Sequence, residues 1–198
     1  MRLGFDLDEV VVDLTSEMEK HIGATYGIEW PAECFINYDF RTCVFSPDEE
    51  TNRNIINDMV VVANDPDFQI NASPVEGAVE ALHKLKRVGH KLFFITSRPK
   101  QNQPHTFKWL RDNDIPFDRL AVVGKSIPKG LFGRKYVLDM FVDDLEPHLE
   151  SMLHYKKRWS KVLLLLDRPW NSNYIDGSKF QRVFNWQEIL RHVGIGNR

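Results

Sequence analysis

Two aspartates one residue apart, Asp6 and Asp8, follow the short apolar run Leu3-Gly4-Phe5, and a second apolar run, Val10 to Val12, comes just after them. Strand side chains alternate faces, so residues two apart point the same way. If Leu3 to Phe5 is a strand, both carboxylates leave its C-terminal end aimed at one spot. Like charges held that close repel unless a cation lies between them or one keeps its proton. Phosphoryl transfer can use such a pair: one carboxylate attacks phosphorus, its partner moves a proton, and a metal neutralises the charge. On spacing alone the pair also fits a solvated turn after an edge strand. The elements that bring further groups to the same place decide between the two.

After the first strand, Val11, Leu14, Met18 and Ile22 recur at helical spacing, with Gly23 and Gly27 bracketing the helix end. An aromatic stretch from Trp30 to Phe45 follows, containing Phe35, Tyr38 and Phe40. Ser46-Pro47-Asp48-Glu49 reads as a helix start, with a capping serine, proline at the first helical position and glutamate three residues after the cap. Ile55, Ile56 and Met59 continue that helix, and Val60 to Val62 either extend it or form a short strand. Residues 14–72 therefore read as a largely helical insertion. Ser73-Pro74-Val75-Glu76 repeats the start signal, and Ala78, Leu82, Leu85 and Val88 form a stripe that Gly89 closes.

Lys91 to Ile95 is a continuous apolar strand ending in Thr96-Ser97-Arg98-Pro99. A helix with Phe107, Trp109 and Leu110 leads to a strand at Leu120 to Val123, then Gly124-Lys125-Ser126. Val137 to Val142 is a further strand, ending in Asp143-Asp144. Leu145, Leu149, Met152 and Leu153 mark a helix, Val162 to Leu166 a strand, and Arg168-Pro169-Trp170-Asn171 the loop beyond it. A short strand near Val183 and a helix capped by Asn185 close the pattern at Gly194.

Strands apolar on both faces, alternating with helices, predict a parallel doubly wound α/β sheet. Ligands of such sheets bind beyond the C-terminal ends of the strands. Polar residues stand at those ends four times over: Asp6 and Asp8, Thr96 and Ser97, Lys125, then Asp143 and Asp144. Gly124-Lys125-Ser126 resembles the end of a P-loop, but that motif needs glycine where Arg119 stands. His21, His105, His148 and His154 lack mutual metal-ligand spacing and read as surface or helix residues.

The chain has 198 residues, of which 42% are hydrophobic and 27% charged, enough for one substantial core and a small accessory unit. Its net charge of -2 offers no general attraction to nucleic acid or anionic membrane, so any anion site must be local. Cys34 and Cys43 are too few for a disulfide framework. The N-terminal apolar run is interrupted by Asp6, Asp8 and Glu9, and Val162 to Leu166 is too short to span a bilayer. A cytoplasmic protein without membrane association is expected.

With those four strand ends in order, the sequence resembles the haloacid dehalogenase superfamily of phosphatases. Several features are similar to the 5′(3′)-deoxyribonucleotidase family and its bacterial and phage relatives. They are the insertion after the first motif, Ser73-Pro74-Val75-Glu76-Gly77-Ala78, Thr96-Ser97-Arg98-Pro99, and Pro169-Trp170-Asn171 ahead of Asn185-Trp186. The resemblance implies a Rossmannoid core of residues 1–13 and 73–198 and a small, mainly helical cap of residues 14–72 inserted after the first strand. It implies Asp6 as the nucleophile that forms an aspartyl-phosphate and Asp8 as general acid and base. It also implies Mg2+ held by Asp6, the Asp8 carbonyl, Asp143 and Asp144.

Thr96 and Ser97 would bind the phosphoryl group, and Arg98 would meet either a phosphate or an acid of the cap. For the motif lysine, Lys125 is favoured because it directly follows the strand and precedes Ser126. The gap from Lys125 to Asp143 is longer than in the closest nucleotidase relatives, which keeps Lys129 in play. Tyr38 and Phe40 are the aromatics expected to stack a nucleobase. The activity implied is a Mg-dependent phosphomonoesterase for nucleoside monophosphates, with deoxy pyrimidine substrates leading. The alternatives are a phosphatase for a sugar phosphate or a nucleic-acid end, and a catalytically silent nucleotide- or partner-binding protein. The balanced charge disfavours a polynucleotide substrate, and retention of all the motif acids disfavours a silent protein. A dehalogenase needs no metal and so no acidic pair. Homodimerisation is left open.

Overall fold

Hydrophobic strand residues lie on both faces of a sheet that helices cover on both sides, in a computed structural model describing residues 1–31, 34, 39–155, 162–174 and 179–195. The strands are β1 (Arg2–Phe5), β2 (Val12–Asp13), β3 (Ser73–Pro74), β4 (Lys91–Thr96), β5 (Arg119–Val122), β6 (Met140–Asp143), β7 (Val162–Leu166) and β8 (Gln181–Val183). The helices are α1 (Leu14–Tyr26), α2 (Glu49–Asn64), α3 (Pro66–Asn71), α4 (Ala78–Arg87), α5 (Gln103–Asp112), α6 (Lys129–Lys135), α7 (Glu146–His154) and α8 (Trp186–His192). A six-stranded parallel sheet runs in the order β5-β4-β1-β6-β7-β8.

Alternation sorts the layers. Leu3, Phe5, Leu92, Phe94, Met140, Val142, Leu164 and Leu166 pack with α4, α5 and α8. The intervening Phe93, Ile95, Phe141, Leu163 and Leu165 pack with α7 and with Phe132 of α6. Gly4 sits where a side chain would strike Phe141 and Leu138, which lets β1 run through the middle of the sheet. The chain passes from β1 to β4 and β5 on one side, then returns to β6 on the other. The switch in winding direction lies at the C-terminal end of β1, where a crevice opens.

The chain leaves this core between β2 and β3, which pair antiparallel as Val12 with Pro74 and Asp13 with Ser73. Met18, Ile22, Cys34, Cys43, Phe45, Ile55 and Met59 form a third apolar cluster there, separate from the two sheet layers. The excursion is tied to α5 and the turn before it. Trp109 Nε1 donates to the Ala72 carbonyl at 2.8 Å, and Asn102 Nδ2 donates to the Asn64 carbonyl at 2.8 Å. No helix among the described residues is long and apolar enough to cross a membrane.

Several local expectations are corrected. Asp48, not Ser46, caps α2, its Oδ1 accepting from Thr51 N at 2.8 Å, while Ser46 Oγ accepts from Asp48 N one turn earlier. Val60 to Val62 continue α2 and form no strand. Ser73 is drawn into β3, so α4 is capped by Gly77, which sits at a φ of 77°, and starts at Ala78. Val137 lies in a turn at φ 52, exposed, and β6 begins only at Met140. Helix α6, with no apolar stripe in its seven residues, was not expected.

Candidate active site

The backbone N–H of Asp6 donates to the Val142 carbonyl at 2.9 Å, extending the pairing of β1 with β6 by one residue. The chain then turns tightly. The Leu7 carbonyl accepts from Val10, Val11 and Val12 at 3.2, 2.7 and 2.9 Å, and Glu9 takes a left-handed φ of 62°. This turn holds Asp8 where Arg98, just past β4, reaches it: Arg98 Nε lies 3.0 Å from both carboxylate oxygens and Nη2 2.5 Å from Oδ1.

β6 ends at Asp143, next to Asp6 across the sheet. Lys129, the first residue of α6, reaches between them, with Nζ 2.7 Å from Asp6 Oδ2 and 2.8 Å from Asp143 Oδ2. The other Asp143 oxygen accepts from Leu145 N at 3.0 Å and lies 3.0 Å from His148 Nδ1. Asp144 Oδ2 accepts from Trp170 Nε1 at 2.9 Å.

Burial and mutual repulsion set the protonation of this cluster. Burial pushes the Asp6 carboxyl up to about 6, with Lys129 opposing and Asp143 adding to the rise. Asp144 is raised well above the carboxylate range by burial, then by Asp143 and Asp6. Burial would raise Asp143 too, but Lys129 and His148 outweigh it and bring it down to about 2. Burial alone would lower the lysine, yet Asp143 and Asp6 hold it up to about 12. Glu9, beside the turn, is raised to about 7 by burial, against the hydrogen bond from Thr15 N.

An ionised group taken into a protein interior costs several kcal/mol, and one lysine can compensate two neighbours but not every acid here. The rim is short of positive charge. Asp6 Oδ1 is buried with no hydrogen-bond partner among the described residues. One potential ligand atom each from Asp6, Asp143 and His148 lie within 4.8 Å of one another. Both Asp143 oxygens are engaged by Lys129, His148 and Leu145, which leaves Asp6 Oδ1 and Asp144 as the acids most open to a cation. An oxygen donor set of this kind fits a hard divalent ion.

The expected site residues land as follows. Asp6, Asp8, Asp143 and Asp144 meet at one rim. Thr96 is fully buried, its Oγ1 accepting from Arg98 N at 3.2 Å, and Ser97 lines the cavity above the sheet. The amine bound to Asp6 is that of Lys129, not Lys125. Gly124, at φ 76, turns the chain just after β5, leaving Lys125 exposed at the cavity wall, while α6 carries Lys129 inward to 1% exposure. Arg98 pairs with Asp8 of the same rim, and with no acid among the described residues of 14–72. Phe40 lines the cavity; Tyr38 and Phe35 lie outside the described residues. His148, read as a surface or helix residue, joins the cluster because α7 is capped by Leu145, right after Asp144, and its first turn brings position 148 back over Asp143.

A family model described as 5′ nucleotidase, deoxy (Pyrimidine), cytosolic type C protein matches residues 1–195. The chain belongs to this 5′-nucleotidase family. The chain is 26% identical over 197 residues to "Putative nucleotidase OB0422" of Oceanobacillus iheyensis, covering 97% of this chain and 98% of that one. A Bacillus cereus protein named "Putative nucleotidase" is 27% identical over 163 residues, 77% of this chain and 81% of the relative. A haloacid dehalogenase-like hydrolase structure from Streptococcus pneumoniae superposes with a TM-score of 0.61 at 14% identity, covering 97% of each chain. The Bacillus subtilis HAD-hydrolase YfnB, described as bound to magnesium, gives 0.62 at 12% identity over 98% of each chain. At those identities the likeness is one of fold. The nucleotidase is a phosphoric monoester hydrolase built on the haloacid dehalogenase fold.

The nucleotidase's rim opens into a cavity of about 330 Å³. Asp6, Asp8, Ser97, Arg98 and Asp144 form its polar floor, and Leu14, Met18, Trp30, Phe40 and Val60 contribute apolar wall from the excursion. A charged floor under an apolar wall suits a substrate with a phosphoryl group at one end and a flat, weakly polar body at the other.

Proposed function

We propose that this nucleotidase hydrolyses nucleoside monophosphates, 5′(3′)-deoxyribonucleotides in particular, through a phosphorylated Asp6, as a cytoplasmic Mg2+-dependent enzyme whose residues 14–72 act as a cap over the core formed by 1–13 and 73–198. The observation that carries this reading is Lys129 spanning Asp6 and Asp143 beside an Asp6 oxygen that has no hydrogen-bond partner among the described residues. One oxygen of the nucleophile is neutralised and the other is left to react or to bind a cation.

Asp6 attacks phosphorus, and the phosphoryl group passes to its carboxylate as the nucleoside oxygen leaves with a proton from Asp8. Asp8 then takes a proton from the water that attacks the phosphorylated Asp6, releasing phosphate and restoring the carboxylate. Lys129 neutralises Asp6 and the incoming phosphoryl charge from below. Ser97 and neighbouring N–H groups hold the phosphoryl oxygens. Asp6, Asp144 and the Asp8 carbonyl would hold Mg2+, and Asp143 would act through Lys129. The bound ion supplies charge neutralisation between the acids and the phosphoryl oxygens. The apolar wall, Phe40 included, excludes water from the phosphorylated aspartate and receives the base.

The test is phosphate release from a panel of ribo- and deoxyribonucleoside 5′- and 3′-monophosphates, with sugar phosphates alongside. Turnover led by deoxy pyrimidine nucleotides, lost on Asp6→Asn and on chelation, is the expected result. A panel led by sugar phosphates, or turnover surviving Asp6→Asn, would overturn the reading.

A further inference from the structure

We propose that Arg98 is a positioning residue that aims the Asp8 carboxylate at the leaving oxygen, a role that rests on the reading of Asp8 given above. Arg98 is only 4% exposed, and its fork is occupied by Asp8 through Nε, which faces both carboxylate oxygens at 3.0 Å, and through Nη2. It is held from behind as well. Its Nη1 lies 3.5 Å from Thr106 Oγ1, and its backbone N–H donates to Thr96 Oγ1 at 3.2 Å, both threonines being buried.

Among the described residues, the Asp8 carboxylate has no hydrogen-bond partner other than Arg98. Asp8 sits in the turn after β1 with a side chain 27% exposed. A planar guanidinium anchored at its back fixes both the position and the plane of a carboxylate it pairs with, which a lysine ammonium cannot do. The anchor belongs to the end of β4 and the start of α5, so it transmits the rigidity of the sheet to a proton-transfer group on a loop. Without it, Asp8 is free to rotate away from the line of the breaking bond.

Proton delivery matters in proportion to the basicity of the leaving group. A nucleoside alkoxide needs the proton; a 4-nitrophenolate leaves without one. A residue that binds phosphate serves both substrates alike, whereas one that positions the acid serves only the first. The value of kcat/KM reports steps up to loss of the leaving group, so later hydrolysis of the phosphorylated Asp6 does not blur the comparison.

The experiment measures kcat/KM of the wild type, Arg98→Lys, Arg98→Met and Asp8→Asn on a deoxynucleoside monophosphate and on 4-nitrophenyl phosphate, with a melting temperature for each variant. Arg98→Lys is expected to lose about 100-fold on the nucleotide and less than about 5-fold on the aryl ester, the lower end of what a placed general acid supplies. Arg98→Met is expected to show the same split; if it fails to fold, the lysine variant decides. Equal losses on both substrates overturn the proposal and make Arg98 a phosphate ligand. A split seen with Asp8→Asn but absent from Arg98→Lys overturns it while leaving the assignment of Asp8 standing. Nucleotide turnover undiminished in Asp8→Asn removes that assignment and this role with it.

Discussion

Lys129 is a buried cation shared by two acids from different strands, Asp6 at the end of β1 and Asp143 at the end of β6. Removing one partner of a buried ion pair leaves the other uncompensated, which typically costs about 3–5 kcal/mol. Lys129→Gln is therefore expected to lower unfolding free energy by roughly that amount and to abolish phosphate release, whereas Lys125→Gln, at an exposed position, should change stability by less than about 0.5 kcal/mol. Urea denaturation and the phosphate assay check both. The acids of this cluster were legible in the sequence because strand periodicity places them at strand ends without further knowledge. The lysine was legible only in part: its spacing to Asp143 kept Lys129 open, but proximity to a strand end, which favoured Lys125, does not reveal that Gly124 turns Lys125 outward. His148 was also hidden: its partner is an acid five residues earlier, across the junction of a strand and a helix, where neither period applies.

The short helix α6 explains that miss at the next level up. Two of its residues, Gly130 and Gly133, lie against α7, where a methyl at Gly130 would collide with the Ser151 carbonyl and one at Gly133 with Met152 Sδ. Close backbone approach brings Lys129 to the rim, and it is bought with glycines that erase the apolar stripe by which a helix is read. Gly130→Ala is expected to cost about 1–3 kcal/mol and most of the activity, because the Ser151 backbone cannot yield without moving α6 and its lysine. Gly133→Ala should be milder, as a methionine side chain can repack. Melting temperatures and phosphate release on the two variants give the comparison. The longer elements were readable because burial imposes a period on them: Ala78, Leu82 and Leu85 of α4, and the unbroken run Leu163 to Leu166 of β7. Their starts were less so. Ser73 carries a helix-cap signal, yet its backbone pairs with Asp13, a partner sixty residues away in the chain.

For the molecule as a whole, the rim is a place where stability is given up for reactivity. Asp6 and Glu9 are raised to about 6 and about 7. Between their unfolded and folded values the native state binds the extra protons, so stability of the metal-free protein falls as pH climbs from about 4 to about 7. Asp143, lowered to about 2, acts oppositely, its contribution being lost as pH drops below its ordinary value of 3.8. In chelator, the urea midpoint is expected to be higher near about pH 5 than near about pH 7.5, and Mg2+ should narrow that difference by neutralising the acids. Asp144→Asn should raise the metal-free midpoint at the higher pH and remove the Mg2+ response. A midpoint that rises with pH in chelator would contradict this charge balance. The two-residue ladder of β2 and β3 has a last consequence. It joins the points where the chain departs from the sheet and rejoins it, so changes in the middle of the excursion, away from Thr15, Asn64 and Ala72 that bond back to the core, are expected to leave Asp6 and Asp8 in place. Grafting a different loop into that middle would then redirect which phosphoester enters while leaving the cutting chemistry in place.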